Sequence, residues 1–401
     1  MRIGLDATQA GIAGGERGGV YMYLLHLLRH LGALTPESRY RLLFALPRRR
    51  HTPAIRAFLA AVGRANVTAA RCRVPARWLR RTGFPVDPWM GSLDVFHAPA
   101  HLAVPCWRAP VVVTVHDLAY LRDRGGVEPP AGLSPEGRRR WEVRRRFFAE
   151  LTAQTERTLR DARLVIAVSR ATRDDLVTRL GVPASKIRVV HNGLRDDLDV
   201  GPQGDPRAHG RLRDGLDQAY GLYVGVLDPN KNLDTLLEGF ARFRARGGRL
   251  SLAIVGNPGW YGAVLESHVR RLGLGGAVRF LGYVHDADLP GLYAGARWLA
   301  MPSPLEGFGM PALEAMACGT PVIAAHAGAL PEVVGHAGLL VDPDSPEAFA
   351  EGMSALGEDE DLRTSLSEAG RARAKEFSWE RAARETLAVY TEARGGGPLP
   401  C

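Results

Sequence analysis

Short apolar runs of strand length alternate with stretches of helical period in two series along this chain. A polar stretch rich in Asp, Gly and Pro, residues 196–219, separates the series. The first series opens with the run Arg2–Asp6, followed by a loop containing Gly14, Gly15, Gly18 and Gly19. Val20–Leu34 then repeats Tyr21, Leu24, Leu25, Leu28 and Leu31 at helical spacing. Further strand-sized runs fall at Asp94–Phe96, Val111–Val115, Leu164–Val168 and Ile187–Val190, with helix-like segments at 138–160 and 171–180. The second series runs strand 222–227, helix 233–245, strand 250–255, helix 263–271, strand 278–281, helix 288–294 and strand 298–301. Strands at 321–324 and 338–341 and an amphipathic helix at 378–392 complete it. Strands that alternate with helices predict parallel sheets with crossover helices, so the fold class is α/β with two doubly wound sheets. The expected division is an N-terminal domain at 1–195, a linker at 196–219 and a C-terminal domain at 220–377. A final helix and tail, 378–401, are expected to pack back on the first domain. Ligands of open α/β sheets bind beyond the carboxyl ends of the strands, so the chemistry is expected there, in a cleft between the two sheets.

Composition narrows the picture without changing it. With 46% apolar and 24% charged residues the chain is neither disordered nor fibrous. Its longest apolar runs are too short to span a bilayer. The start Met1-Arg-Ile-Gly-Leu-Asp lacks the apolar core of a signal peptide. Four separated cysteines, Cys72, Cys106, Cys318 and Cys401, make no metal or redox motif and suit reduced thiols in a cytoplasmic setting. Charge does add something. Residues 1–195 hold 33 Lys+Arg against 15 Asp+Glu, and residues 196–401 hold 19 against 28, so the halves carry +18 and −9. The basic clusters Arg48–Arg50, Arg77–Arg81 and Arg138–Arg146, with Trp78, Leu79 and Phe84 interleaved, predict peripheral contact with an anionic membrane face or an anionic acceptor.

The most informative stretch runs from Pro302 to Val322. It follows a strand, so Ser303–Gly309 is a strand-to-helix loop, and Pro311 suits the first helical position. The amides of Phe308, Gly309 and Met310 then open from a helix N-terminus, a ready anion site that glycine lets a phosphate approach. Glu306 on the loop and Glu314 in the first turn would repel a phosphate, so they are expected to accept hydrogen bonds from hydroxyls. An anion flanked by two hydroxyl acceptors describes a nucleotide sugar.

Glu306 and Glu314, within E-G-F-G-M-P-A-L-E-A-M-A-C-G-T-P-V, resemble the E-x7-E signature of the retaining GT-B glycosyltransferases of family 4. Val165–Ser169, Lys186–Gly193, Leu222–Leu233, Phe280–Val284 and Phe377–Trp379 resemble other segments of that family, in order along nearly the whole chain. The resemblance implies a GT-B fold, two Rossmann-like domains facing a central cleft, the first binding acceptor and the second binding nucleotide sugar. By position it implies that Glu314 holds the ribose, Glu306 the transferred sugar, and Phe308, Gly309 and Met310 phosphate or sugar oxygens. Lys231 would neutralise the leaving diphosphate, the Tyr283–Val284 backbone would meet the base, and Asn232 and Gly256 would complete the donor set. His116 would face the donor sugar from the first domain, and Gly14, Gly15, Gly18 and Gly19 would close over the diphosphate.

One departure stands out: the family's Arg near the lysine is missing from Gly225–Asn230. Either Lys231 and the helix amides suffice, or an Arg from elsewhere completes the clamp. D-P-N-K-N resembles a mannosyltransferase branch, so the reading leans to GDP-mannose over a UDP-sugar. The implied reaction is hexosyl transfer with retention to a glycan, lipid-linked or small-molecule hydroxyl, as in polysaccharide biosynthesis, with no cofactor and no metal. The other classes fare worse. G-x-G-x-x-G, G-x-x-x-x-G-K and G-x-S-x-G are absent, which removes dinucleotide oxidoreductases, P-loop ATPases and serine hydrolases. A sugar-nucleotide epimerase shares the architecture and stays open as the enzymatic alternative. A nucleic-acid-binding protein rests on the basic half alone, and no RNA-binding module supports it, so nucleic acid is not an expected partner.

Overall fold

The computed structural model describes residues 1–12, 18–47, 51–121, 135–196, 198, 219–257, 259 and 261–395. Most of the expected linker, Gly14, Gly15, Arg48–Arg50 and Cys401 lie outside them, as do the side chains of Arg138–Arg140, Arg144 and Arg145. The chain divides into two units, Met1–Gly193 with Trp379–Cys401, and Leu194–Ser378.

The first unit is a seven-stranded parallel sheet in the order β3-β2-β1-β4-β5-β6-β7. Its strands are β1 (Arg2–Asp6), β2 (Arg39–Ala45), β3 (Val67–Cys72), β4 (Val95–Ala98), β5 (Val111–Val115), β6 (Leu164–Ala167) and β7 (Ile187–Val189). Sequence periodicity predicted β1 and the run from β4 to β7 but not β2 or β3. β2 alternates Arg39, Tyr40 and Arg41 before it turns apolar, and β3 (V-T-A-A-R-C) is an edge strand of mixed polarity. Neither shows the continuous apolar run of a strand buried on both faces. The helices in chain order are α1 (Gly19–Leu34), α2 (Thr52–Val62), α3 (Ala76–Thr82), α4 (Asp87–Met90), α5 (Pro135–Asp161) and α6 (Arg170–Leu180). Ser169 caps α6 by accepting from the Thr172 amide, and Gly181 ends it in the left-handed region.

The second unit repeats the winding with six strands, β10-β9-β8-β11-β12-β13. These are β8 (Tyr220–Val224), β9 (Ser251–Val255), β10 (Val278–Gly282), β11 (Ala296–Met301), β12 (Val322–Ala325) and β13 (Leu339–Val341). Its helices are α7 (Leu233–Ala245), α8 (Gly262–Arg271), α9 (Leu289–Gly295), α10 (Met310–Ala317), α11 (Leu330–Val334), α12 (Pro346–Glu358) and α13 (Glu360–Ala374). Leu236, Leu237, Phe240 and Phe243 of α7 meet Phe349, Ala350 and Met353 of α12 in one core under the sheet. In both units the strand order reverses beside the first strand, between β1 and β4 and between β8 and β11. Such a topological switch point is where the outgoing loops diverge and leave a crevice.

The last helix, α14 (Trp379–Ala393), follows the second unit in sequence and packs in the core of the first, where Trp379 and Tyr390 are buried. A buried polar chain holds it. The Tyr390 hydroxyl lies 2.6 Å from His97 Nδ1, His97 Nε2 lies 2.8 Å from Thr114 Oγ1, and Thr114 Oγ1 lies 3.0 Å from the Tyr23 hydroxyl. Burial pushes the His97 imidazole down to about 3, so it stays neutral and can be donor at one nitrogen and acceptor at the other. Among the described residues, no helix is long and apolar enough to cross a membrane.

Candidate active site

At the switch point of the second unit, the loop after β8 and the loop after β11 present opposite charges to each other. Asp228 starts the first loop by accepting from the Asn230 amide at 2.9 Å, which winds Pro229–Lys231 into a single 3-10 turn. Asn232 follows at φ 56°, the one non-glycine residue with positive φ among the described residues. Its amide nitrogen donates to the carbonyls of Pro302 at 3.2 Å and Pro343 at 2.7 Å, and its Oδ1 accepts from Thr235 at 2.8 Å. The structure therefore commits the Asn232 side chain to stitching three segments together. That stitching aims Lys231, whose Nζ donates to Glu306 Oε1 at 2.8 Å. Both partners are partly shielded, with side-chain exposures of 28% and 14%, so the pair stands where solvent screens it less than on an open surface.

Glu306 is held from behind. Its carbonyl accepts from the Ala329 amide at 3.0 Å, and a Cβ on Gly328 would come within 2.9 Å of the Glu306 backbone. Ser303 is buried and bonds the carbonyls of Asn230 and Leu305, tying the two loops together. The chain then reaches Gly309 at φ 96°, where a Cβ would also meet Leu330 at 2.7 Å. Helix α10 starts at Met310, so Pro311 takes the second helical position and not the first, as the sequence suggested. Among the described residues, the amides of Gly309 and Met310 donate to no backbone carbonyl, and they stand at a helix start. Phe308 is buried, its ring edge-on to Phe377 at 5.6 Å.

Glu314 is the fifth residue of α10, one residue deeper than expected from the sequence. It is buried, and Oε2 accepts from the Tyr293 hydroxyl at 2.9 Å. The two glutamates thus differ in kind: Glu306 faces a lysine on a loop, and Glu314 is fixed by a phenol inside the helix layer. Tyr283 is 56% exposed after β10 while Val284 beside it is buried. Gly256, at the end of β9, allows a backbone approach that no side chain would: a Cβ there would lie 1.8 Å from the Gly225 carbonyl oxygen.

In the first unit, His116 follows β5. Its Nε2 lies 2.8 Å from the Pro99 carbonyl, which can only accept, so Nε2 carries the hydrogen and Nδ1 is left as acceptor. Burial pushes the imidazole below its ordinary range, against opposing pulls from the Pro99 carbonyl and Asp117, and favours this neutral tautomer. Tyr23 packs edge-on against the ring at 4.8 Å. Gly18 and Gly19 form the start of α1 and are exposed.

Sequence reasoning missed Tyr293, Gly328 with Ala329, and Arg195. Tyr293 sits inside a predicted helix with nothing to distinguish it. Gly328 is one glycine in an Ala/Gly-rich run. Arg195 closed the sequence-drawn first domain, but it belongs to the second unit. It is buried there, with Nη1 3.9 Å from Asp286 Oδ1, three residues beyond Tyr283.

Two doubly wound α/β units, the second with a cation–carboxylate pair at its switch point and a buried carboxylate eight residues beyond Glu306, are the architecture of the GT-B class. Comparison with known proteins agrees with that class. The model "Glycosyl transferases group 1" matches residues 207–373, and "Glycosyltransferase Family 4" matches residues 17–198. The O-antigen chain mannosyltransferase B of Escherichia coli is 37% identical over 236 residues, 58% of this chain and 61% of the relative. The D-inositol 3-phosphate glycosyltransferase of Streptomyces bingchenggensis is 30% identical over 411 residues, 95% of this chain and 86% of the relative. The chain belongs to the family 4 (group 1) glycosyltransferases. It spans 61% to 65% of the length of the first curated relatives it matches. Anabaena HepE, solved with UDP and glucose, superposes with a TM-score of 0.67 at 20% identity over 98% of this chain and all of that one, which establishes the shared fold.

Proposed function

We propose that the protein is a retaining glycosyltransferase that moves a hexose from a nucleoside-diphosphate sugar to a hydroxyl acceptor, with GDP-mannose as the donor. The observation that carries this reading is the Lys231–Glu306 pair at the β8/β11 switch point, with Glu314 eight residues further on. A donor offers each partner a replacement: the diphosphate oxygens take Lys231, and a hydroxyl of the sugar donates to Glu306. The open amides of Gly309 and Met310 add to the positive field, and Glu314, held by Tyr293, accepts from the ribose. The Tyr283–Val284 backbone meets the base, Asn232 aims Lys231, and Gly256 keeps the β8 and β9 ends close together.

As the anomeric C–O bond to the diphosphate breaks, negative charge collects on the leaving group, where Lys231 and the amides stabilise it. The acceptor oxygen bonds the anomeric carbon on the face the phosphate leaves, and its proton passes to a phosphate oxygen. No carboxylate nucleophile is needed. Of the first unit, His116, neutral with Nδ1 open, is assigned to the transferred sugar, and Gly18 and Gly19 to the diphosphate. The relative named a mannosyltransferase supports the GDP-mannose assignment, as does D-P-N-K-N. Thermal-shift titration with GDP and UDP in the presence of a chelator tests the donor reading, because binding raises apparent stability by mass action. GDP should stabilise more than UDP; no shift with either would overturn the reading.

A second observation concerns the acceptor. Trp78 within α3 and Phe84 just after it are 47% and 43% exposed, and Trp107 is 74% exposed. Exposed aromatics beside Arg77 and Arg81 support peripheral contact of the first unit with an anionic lipid surface. Co-sedimentation with anionic but not neutral vesicles, weakened by salt, is the expected result.

A further inference from the structure

The amino end of the first sheet carries a concentration of charge that the proposed reaction does not use. Arg2 of β1 and Arg39 of β2 are register partners, and Arg41 lies opposite Gly4 on one side and Thr68 of β3 on the other. Residues two apart on a strand face the same way, so Arg39 and Arg41 share one face of the sheet, with Arg2 beside Arg39. Interior strands of parallel sheets are ordinarily covered on both faces. Here both arginines of β2 are exposed, although β2 lies between β3 and β1. This bare face opens into a cavity of about 960 Å³ walled by Arg2, Arg39, Arg41, Arg64 and Glu37.

Like charges in register on adjacent strands repel, so such a cluster needs counter-charge. Arg2 has one: Asp94 accepts from its backbone amide at 2.7 Å and lies 3.5 Å from its guanidinium. Arg64 donates Nε to the Arg29 carbonyl at 3.0 Å and stays exposed. Among the described residues, Arg39 and Arg41 have neither an ion pair nor a side-chain hydrogen bond, and Glu37 pairs with none of the four arginines. Guanidinium forks match the paired oxygens of a phosphate or carboxylate. Hydroxyls of Ser38, Thr68 and Ser92 line the same cavity, which suits a polyol better than an apolar ligand. The volume is that of a small-molecule site. Its place at the amino ends of β1 to β3 separates it from the carboxyl ends where His116 stands.

We propose that this cavity binds an anionic saccharide, with Arg39 and Arg41 gripping its phosphate or carboxylate. The ligand is either a free sugar phosphate or an acidic unit of a longer glycan. The proposal rests on the first unit alone and stands or falls apart from the donor reading. Calorimetric titration of the full chain with glucose 6-phosphate and with a trigalacturonate tests it and separates the two sources. The wild type, Arg39→Thr with Arg41→Thr, Arg39→Lys with Arg41→Lys, and Lys231→Ala are compared. Threonine suits a strand, and circular dichroism checks that each variant is folded.

Binding of at least one probe is expected, weaker at high salt, at least about tenfold weaker in the threonine variant and intermediate in the lysine variant, which keeps charge but loses the fork. Lys231→Ala should bind as wild type. Saturation by glucose 6-phosphate alone identifies a free metabolite, and by the trigalacturonate alone a glycan chain. No heat with either probe, unchanged affinity in the folded threonine variant, or loss in Lys231→Ala would each overturn the proposal.

Discussion

The two sheets are wound in the same order, yet their carboxyl ends are equipped in opposite ways. In the second unit the switch point holds formal charges, Lys231 against Glu306, on loops with partial access to water. In the first, the ends of β4 and β5 hold neutral histidines. His97 is locked into a buried chain with Tyr390, Thr114 and Tyr23, and His116 is pinned to Pro99. A donor carrying two phosphates needs charge that can be exchanged from a protein partner to a ligand. A hydroxyl acceptor needs only oriented, uncharged hydrogen-bonding groups. Under the proposed function one winding scheme serves both, because its loops, and not its strands, carry the difference.

The sharpest way to break this comparison is to remove the exchangeable charge. Lys231→Ala should lower kcat/KM by roughly 10²–10³, the scale for losing a preorganised charge partner. Adding Glu306→Gln to that variant should cost less than Glu306→Gln does in the wild type, because the residues act as a pair. Additive losses in steady-state kinetics would mean that the ion pair has no functional coupling.

Acid should expose the neutral side. Burial holds His97 at about 3 in the folded state, against about 6.5 when exposed, so between these values the unfolded chain binds the extra proton. Stability attributable to His97 is therefore intact above about pH 6.5 and falls by about 1.4 kcal/mol per pH unit below it. Denaturant titrations from pH 7 to 5 should show this slope, reduced in His97→Gln. Hydrogen exchange should place the weakening in the first unit; a uniform loss across both would remove the contrast.

Gly309→Ala forces a side chain into positive φ and against Leu330, and should destabilise by about 1–3 kcal/mol. Loss of activity without loss of melting temperature would mean that the loop tolerates the side chain. The smallest expected effect distinguishes the glutamates. Glu314→Ala should raise the donor KM by about tenfold with little change in kcat, because ribose contacts alter little in the transition state. Glu306→Ala should lower kcat more. Reversal of that pattern would exchange their roles.

Much of this was legible along the chain because burial on both faces leaves a local mark. Continuous apolar runs announced β5, β6, β8, β9 and β12, and helical period announced α1 and α7. The loop from Pro302 to Gly309 declared itself through its place after a strand, its glycines and its proline. β2 and β3 left no such mark, because Arg39 and Arg41 of β2 and Thr68, Ala69 and Arg71 of β3 are exposed and interrupt the apolar run. Glu314 looked like a first-turn acid because the helix start was set one residue late, at Pro311, and its fixing by Tyr293 could not be read from either residue's neighbours.

The chain's own pattern was enough to determine the α/β class, the two series of strands and the residue types at the second switch point. These depend on periodicity and on the chemistry of single loops. Only tertiary structure decided that Lys231 meets Glu306 across 75 positions, that Asn232 is spent on aiming it, and that Arg195 belongs to the second unit. It also decided that α14 closes the core of the first. Each of these is a long-range pairing, set by which strand ends the winding brings together. The local sequence holds no record of such a partner.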